Sequence, residues 1–336
     1  MSTSYLRKYT DASAPQISSI AYGCLTTLLK TVLVDGYGSQ AALGWTELYT
    51  SGDNYIKVFQ GNGTGFPIRF DNSSAAVGVG TRIEVSAYES MSDIDNGISR
   101  CPAVGNTCVM TISQTGVLTG ALPWMIIGDD KGFWFCIKSA YENYTTSWGQ
   151  AWNVFYFGDY VPIDTSNSHN LFICGYPITQ TGIQTWKGTI SRLYNQSTVA
   201  EEYWVLRDYD HEMGAVKAGI SPGTFYEYYS NISSVGFGRY ANVSPFSNER
   251  FFGIPTLHGE GGKLLGFLPG LLNPLLAYGD FERGDLTTFN DEEYVLSDRT
   301  YHLLRIFFSS SSSSESYAYR PTSLCLVSGE GFRDVI

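Results

Sequence analysis

Charge is what this sequence has least of. Asp, Glu, Lys and Arg make up 16% of its 336 residues, against about 25% in typical soluble proteins. Basic residues are the scarcer kind, 21 against 32 acidic ones, so the formal net charge is -11. No run of Lys and Arg occurs. Nucleic-acid binding needs cations that displace counterions from phosphate, so direct contact with nucleic acid is not expected. Long apolar runs are missing too. The most apolar late stretch, GKLLGFLPGLLNPLLAYG, is interrupted by Pro269 and Pro274 and is too short to span a bilayer. The opening residues, MSTSYLRKYTDAS, hold no apolar core of a signal peptide. Neither a membrane anchor nor an export signal is expected. The six cysteines are therefore expected to be reduced and buried. The exception is CPAVGNTC, where Cys101 and Cys108 flank a Pro/Gly-rich turn and form a candidate disulfide. The absence of an internal repeat at a fixed period disfavours a solenoid or propeller.

Aromatics are what the sequence has in excess: 15% of residues, with 24 Tyr. Tyr and Trp gain most where one end is buried and the other wet, as at subunit interfaces. With so little charge, such a composition points to a β-rich, assembling protein.

Several motif fragments fail on inspection. Gly36-Tyr37-Gly38-Ser39-Gln40-Ala41 fits the letters of a dinucleotide fingerprint, which needs a strand before it and a helix after it. The residues before it have helical spacing instead. Ile17, Ile20, Ala21, Cys24, Leu25, Leu28, Leu29, Val32 and Leu33 mark one apolar stripe of period 3.6. Ser13 is placed to cap that helix, Pro15 falls in its first turn, and Gly36 falls where a left-handed residue ends it. The spacing predicts a helix over Ser13 to Asp35. Its stripe, with Ile17, Ile20, Leu25, Leu28, Leu29 and Val32, is broad enough to be expected to dock on a neighbouring subunit.

His211-Glu212 opens a zinc-protease motif, but Ala215 stands where the second histidine belongs. SDIDNG places Asp93 and Asp95 like a calcium loop, yet Gly97 and Val104 hold no ligand oxygens on their side chains, and an Asx turn is the better reading. The Gly-Gly-Lys ending at Lys263 lacks both the first glycine and the hydroxyl of a phosphate loop, with Leu257 and Leu264 in their places. His169, His211, His258 and His302 are far apart, and no nucleophile elbow occurs. Asp129/Asp130, Asp159, Glu201/Glu202 and Glu292/Glu293 are candidate carboxylates for glycoside hydrolysis. Adjacent acids on a strand face opposite ways, however, and acids in turns are commonly solvated. The Asn-x-Ser/Thr sequons at Asn62, Asn72, Asn143, Asn195, Asn231 and Asn242 read as chance matches. No metal or cofactor is expected.

After the helix, short β-type runs recur between turn formers: NYIKVFQG, FPIRFDN, RIEVSAYES, AWNVFYFGDYVPI and HNLFICGYPI. WMIIGDDKGFWFCIKSAY, residues 124–141, reads as a hairpin closed at Gly128-Asp129-Asp130-Lys131-Gly132. From Thr198 to Gly270 the pattern loosens, and long ordered loops with short strands are expected. YHLLRIFF and TSLCLVSG read as two more strands, joined by a flexible Ser309–Ser314 connection. The expected fold is mainly β, an antiparallel sandwich or barrel with an N-terminal amphipathic helix. The expected segments are a helical arm over 1–38, a β domain over 39–197 and a second β-rich region with long loops over 198–336.

Five stretches in order, LLKTVLVDGYGSQAALGWT, RIEVSAYESMSDIDNG, WMIIGDDKGFWF, WNVFYFGDYVPI and GKLLGFLPGLLNPLLA, resemble virion structural proteins of tailed bacteriophages. The resemblance runs from about residue 20 to residue 275. It implies a non-enzymatic particle component, a homo-oligomer whose partners are other virion proteins, and does not by itself say where on the particle (neck, tail, baseplate or outer head) the protein sits. It implies no catalytic residues, and a place in the virion after synthesis in the host cytoplasm. An acidic chain is a poor lining for packaged DNA, which favours an outer position. The alternatives are a receptor- or host-glycan-binding module and, after it, a polysaccharide hydrolase.

Overall fold

The runs WMIIG, GFWFCIK, WNVFYFGD and LFICG are apolar at almost every position, and all four are strands. An antiparallel strand with one wet face alternates apolar and polar residues, so an unbroken run signals cover on both faces. The structure is a computed structural model that describes residues 3–18, 21–73, 75–76, 80–104, 108–115, 121–138, 140–141, 152–175, 202–207, 213–221, 251–253, 256–258, 264–275, 292–296, 298–307 and 321–334.

The chain begins with β1 (Thr3–Lys8), α1 (Cys24–Lys30) and a π-helical turn (Thr31–Asp35). Then come β2 (Thr46–Thr50), β3 (Ile56–Gln60), β4 (Pro67–Asp71), β5 (Ala75–Ala76), β6 (Gly80–Ala87), β7 (Ser90–Met91), β8 (Gly97–Ile98) and β9 (Cys108–Thr115). The middle holds β10 (Trp124–Gly128), β11 (Gly132–Lys138), β12 (Ala140–Tyr141), β13 (Trp152–Asp159), β14 (Val161–Pro162), β15 (Leu171–Gly175), β16 (Glu202–Arg207) and β17 (Met213–Ser221). The last group is β18 (Phe251–Gly253), β19 (Thr256–His258), β20 (Leu264–Phe267), β21 (Leu271–Leu275), β22 (Glu292–Leu296), β23 (Arg299–Phe307) and β24 (Pro321–Glu330).

The fold is mainly β, as its strand runs predict, with the antiparallel sheet curled into a half-barrel. Among the described residues, fifteen strands form one sheet in the order β14-β20-β19-β17-β16-β15-β13-β11-β10-β1-β24-β21-β18, with β23 on the other edge of β24 and β22 on β23. Seven more form a second sheet, β12-β9-β6-β4-β3-β2 with β5 on β6. The large sheet takes strands from each of the expected segments 1–38, 39–197 and 198–336. The expected hairpin at 124–141 is there: β10 and β11 pair from Trp124↔Ile137 to Gly128↔Phe133 around the Asp129-Asp130-Lys131 turn.

Register sorts the central side chains onto two faces. Phe133 lies opposite Phe157 and Phe135 opposite Phe155, on the face that meets the second sheet. There Phe70 of β4 packs edge-on against Phe157 at 5.2 Å, and Trp45 edge-on against Phe133 at 5.3 Å. Trp134, Tyr156 and Phe172 occupy the other face, with ring centroids 4.8 and 6.1 Å apart. The C-terminal part of the chain covers them. Trp134 donates its indole N–H to the Pro269 carbonyl at 2.7 Å, and Phe332 is fully buried.

The N-terminal helix is much shorter than its periodicity predicts. Residues 3–8 are strand β1, paired to β10 from Tyr5↔Gly128 to Lys8↔Met125 and to β24 at Thr3↔Glu330 and Ser4↔Gly329. Ser13 does not cap; it has a left-handed φ of 64°. Pro15 and Ile17 are not in a first turn, because their carbonyls accept from the Trp124 indole N–H at 2.8 Å and the Leu122 N–H at 3.0 Å. Backbone groups claimed by those tertiary bonds are lost to a helical ladder. The helix starts after Gly23, left-handed at φ 74°, and the helical run ends at Gly36, φ 77°. The Asn72 side-chain oxygen accepts the Leu25 N–H at 3.3 Å, one of the donors a helix start leaves unpaired.

Candidate functional site

Two of the candidate acids meet in a buried polar cluster. Asp129 opens the β10–β11 turn, and its Oδ1 accepts the N–H groups of Lys131 at 2.9 Å and Gly132 at 3.0 Å. This is an Asx turn, inside the Gly-Asp-Asp-Lys-Gly stretch expected to close the hairpin. Asp159 ends β13, where its Oδ2 accepts the Thr64 N–H and its Oδ1 the Thr64 hydroxyl, both at 2.7 Å. Arg333, from the turn after β24, joins the two. Its Nε donates to Asp129 Oδ2 at 2.6 Å, Nη2 to Asp129 Oδ1 at 2.8 Å, and Nη1 to the Asp159 carbonyl at 2.8 Å. The Tyr156 hydroxyl donates to the same carbonyl at 2.5 Å, and the Trp45 indole N–H to the Asp129 carbonyl at 2.9 Å.

Asp129 and Asp159 are 4% and 6% exposed. Burial pushes the Asp159 carboxyl up from its ordinary range, against the Thr64 hydrogen bonds and the Arg333 charge. Burial likewise pushes the Tyr156 phenol up. A raised carboxyl pKa in a cleft is the mark of a general acid. Here, however, each oxygen of both carboxylates already accepts from the chain. The bidentate Arg333–Asp129 pair is the strong form of such a contact. The cluster braces the C-terminal turn against β10, β11 and β13. Sequence reading found the acids and missed the arginine, because 204 residues separate Arg333 from Asp129.

A second arrangement was not legible at all. Glu293, His302 and Ser328 lie on the adjacent strands β22, β23 and β24. His302 Nε2 is 2.8 Å from Ser328 Oγ, and Nδ1 is 3.4 Å from Glu293 Oε1. That atom order is the one a nucleophile, base and acid would use. The surroundings argue against it. Lys8 Nζ lies 3.6 Å from the same Glu293 oxygen. His302 is 1% and Ser328 6% exposed. Ser328 sits within a strand whose backbone is laddered to Thr300, not on a strained turn that presents its hydroxyl. Burial holds the His302 imidazole below its ordinary pKa. It is a core histidine bonded to Ser328.

The remaining candidates are dispersed. Asp93 accepts from the N–H groups of Asp95 and Asn96, each at 2.9 Å, in an exposed Asx turn. The structure does not join the candidate disulfide: Cys101 and Cys108 are both buried thiols. Cys101 bridges Ala87, while Cys108 pairs with Val85 on the same strand β6. Two residues along a strand set them about 6.6 Å apart, at the long limit for a disulfide. The expected docking stripe faces inward. Ile17, Leu25, Leu28, Leu29 and Val32 are 0–3% exposed in the core that the second sheet completes, so the chain itself covers them. Ile20 lies outside the described residues, as do His211-Glu212, Lys263, Glu201 and the Ser309–Ser314 run. The letters of the dinucleotide fingerprint form a turn, with Tyr37 bridged to Gln40. Among the described residues no group of three or more His, Cys, Asp or Glu side chains is placed to hold a metal ion, and no helix is long and apolar enough to cross a membrane.

A scan against models of protein families finds no match, and neither does a comparison with curated protein sequences.

Proposed function

We propose that this chain is a non-enzymatic structural component of a tailed-bacteriophage virion, placed on the neck, tail, baseplate or outer head. It works through contacts with copies of itself and with other virion proteins. The observation that carries the non-enzymatic part is the Asp129–Arg333–Asp159 cluster, where the best candidate acids have their oxygens engaged in bracing the fold. The contact role rests on the five stretches that resemble virion proteins and on the margin of the large sheet. Ile163 and Leu264 are 49% and 45% exposed there, and the Ile163 N–H donates to the Leu265 carbonyl at 3.0 Å. Two neighbouring exposed apolar side chains at a sheet margin suit a subunit contact. The net charge of -11 favours a position away from packaged DNA.

Gold-labelled antibody electron microscopy on particles from a lysed culture of the source tests this. Label at one vertex, along a tail or over the head is the expected result. Unlabelled intact particles, with the protein free in the lysate, would overturn it.

A further inference from the structure

Between the N-terminal segment and the β2–β3 turn lies a groove of about 350 Å³, lined by Gln16, Tyr22, Cys24, Asp53, Asn54 and Tyr55 among others. Its volume falls at the lower end of small-ligand sites, about 300–1,000 Å³. Two tyrosines form one wall. The rings of Tyr22 and Tyr55 lie 5.5 Å apart, tilted by 34°, and Tyr22 is 45% exposed. At that separation the rings touch. They leave no slot for a group between them, and the half-exposed Tyr22 ring is the aromatic surface open to a ligand.

Tyr55, which backs the Tyr22 ring, is held in place by its own backbone. Asp53 Oδ1 accepts the Tyr55 N–H at 3.0 Å, which closes an Asx turn, and Asn54 has a left-handed φ of 65°. Tyr55 leans over Gly23, where an added Cβ would come within 2.8 Å of Tyr55 Cδ1. Glycine at 23 therefore serves both the left-handed start of α1 and the seating of the ring.

The rim carries donors and acceptors together. Gln16 uses its amide nitrogen on the Tyr9 and Ala14 carbonyls, which leaves its side-chain oxygen as an acceptor. Asn54 uses its side-chain oxygen on Lys57 and Thr50, which leaves its amide N–H groups as donors. Asp53 engages Oδ1 with Ser51 and Tyr55, which leaves Oδ2 as a further acceptor. A ligand that matches both kinds of partner needs groups that donate and accept at once, which is the property of hydroxyls. The Asp53 carboxylate and the acidic chain repel anions.

We infer that this groove binds a short neutral saccharide, one ring face stacked on Tyr22 and its hydroxyls bonded to Gln16, Asp53 and Asn54. The site is independent of the virion reading and of any position on a particle.

The test uses saturation-transfer NMR and calorimetry on the full chain, with maltotriose, cellotriose and triacetylchitotriose as probes at millimolar concentration. At least one triose is expected to receive saturation. Tyr22→Ala is expected to weaken its binding about tenfold, the loss of one stacking contact, and Tyr22→Trp to preserve or strengthen it. Asp53→Asn is expected to weaken it less. Since Tyr22 is nearly half exposed, these variants keep the fold, and an unchanged thermal melt checks that. No transfer to any of the three trioses overturns the inference. So does binding that survives both Tyr22→Ala and Asp53→Asn unchanged, or a galacturonate trimer binding as tightly as the neutral probes.

Discussion

The central strands and the strands of the second sheet are built from similar residues and differ in how many faces they bury. β10, β11, β13 and β15 are buried at nearly every position, whereas β2 at the margin of the second sheet is exposed or half-buried throughout. The central strands are a filling between two covers, the second sheet with α1 on one face and the C-terminal segments on the other. Substitutions in the filling have no wet face to retreat to. Losing a cover exposes a face that was never built for water.

The most severe way to break that arrangement is to remove β1. It is the strand hydrogen-bonded between β10 and β24, so it joins the central strands to their C-terminal cover within one sheet. Deleting residues 1–9 is expected to abolish cooperative unfolding, read by a circular-dichroism melt, and to leave a chain that aggregates through two newly opened edges. A truncated chain that melts cooperatively would show β1 to be an appendage.

Next in size is the brace at Arg333. Arg333→Met leaves the buried Asp129 carboxylate without its guanidinium. A broken buried pair of this kind costs about 3–5 kcal/mol, read as a large drop in the urea midpoint. Adding Asp129→Asn to Arg333→Met is expected to recover part of the loss, since no charge then stays buried alone. Equal midpoints for the single and double variants would place the cost in lost packing.

A milder probe works one residue at a time. Ile126 and Ile127 are adjacent on β10, point to opposite faces and are both fully buried. Ile126→Ser and Ile127→Ser are each expected to cost about 2–5 kcal/mol, whereas Thr46→Ser and Thr50→Ser on β2 should stay within about 0.5 kcal/mol. If one of the two isoleucines tolerates serine, one cover is absent in solution.

These same contrasts explain what the sequence could say. The strands were legible because NYIKVFQG, FPIRFDN and the four central runs end at Gly, Asn and Asp turns, and each turn is a local signal. The hairpin at Asp129 was legible for the same reason. The start of the helix was not. Ile17 and Leu25 both fit one period, yet Ile17 is buried from an extended segment whose carbonyl is taken by Leu122. Burial has the same hydrophobic signature whether the backbone is coiled or extended, so spacing alone ran the helix too far. The Arg333 brace, the Glu293–His302–Ser328 row and the Tyr22–Tyr55 ring contact all join residues that are distant in sequence, and no window of residues holds them.

The smallest expected effect concerns pH and separates the two buried clusters. His302 is held below its ordinary pKa by burial, and the Lys8 charge acts in the same sense while Glu293 opposes it. The groups facing it are Glu293 from β22, Lys8 from β1 and Ser328 from β24. The unfolded chain binds a proton on this histidine below about pH 6.5 that the folded chain does not. Stability is therefore fully present above that pH and is lost as the pH falls through it. Asp159 has the opposite sign, because its folded pKa is raised: the folded chain holds that proton to higher pH than the unfolded chain, and the stability so gained is lost as the pH rises through the folded value. Urea midpoints measured between about pH 5 and 7 should fall with acidity in the native sequence and flatten in His302→Gln. A slope that survives His302→Gln would show that this histidine is not the source of the acid sensitivity, and Asp159, whose sign is opposite, could not supply it either.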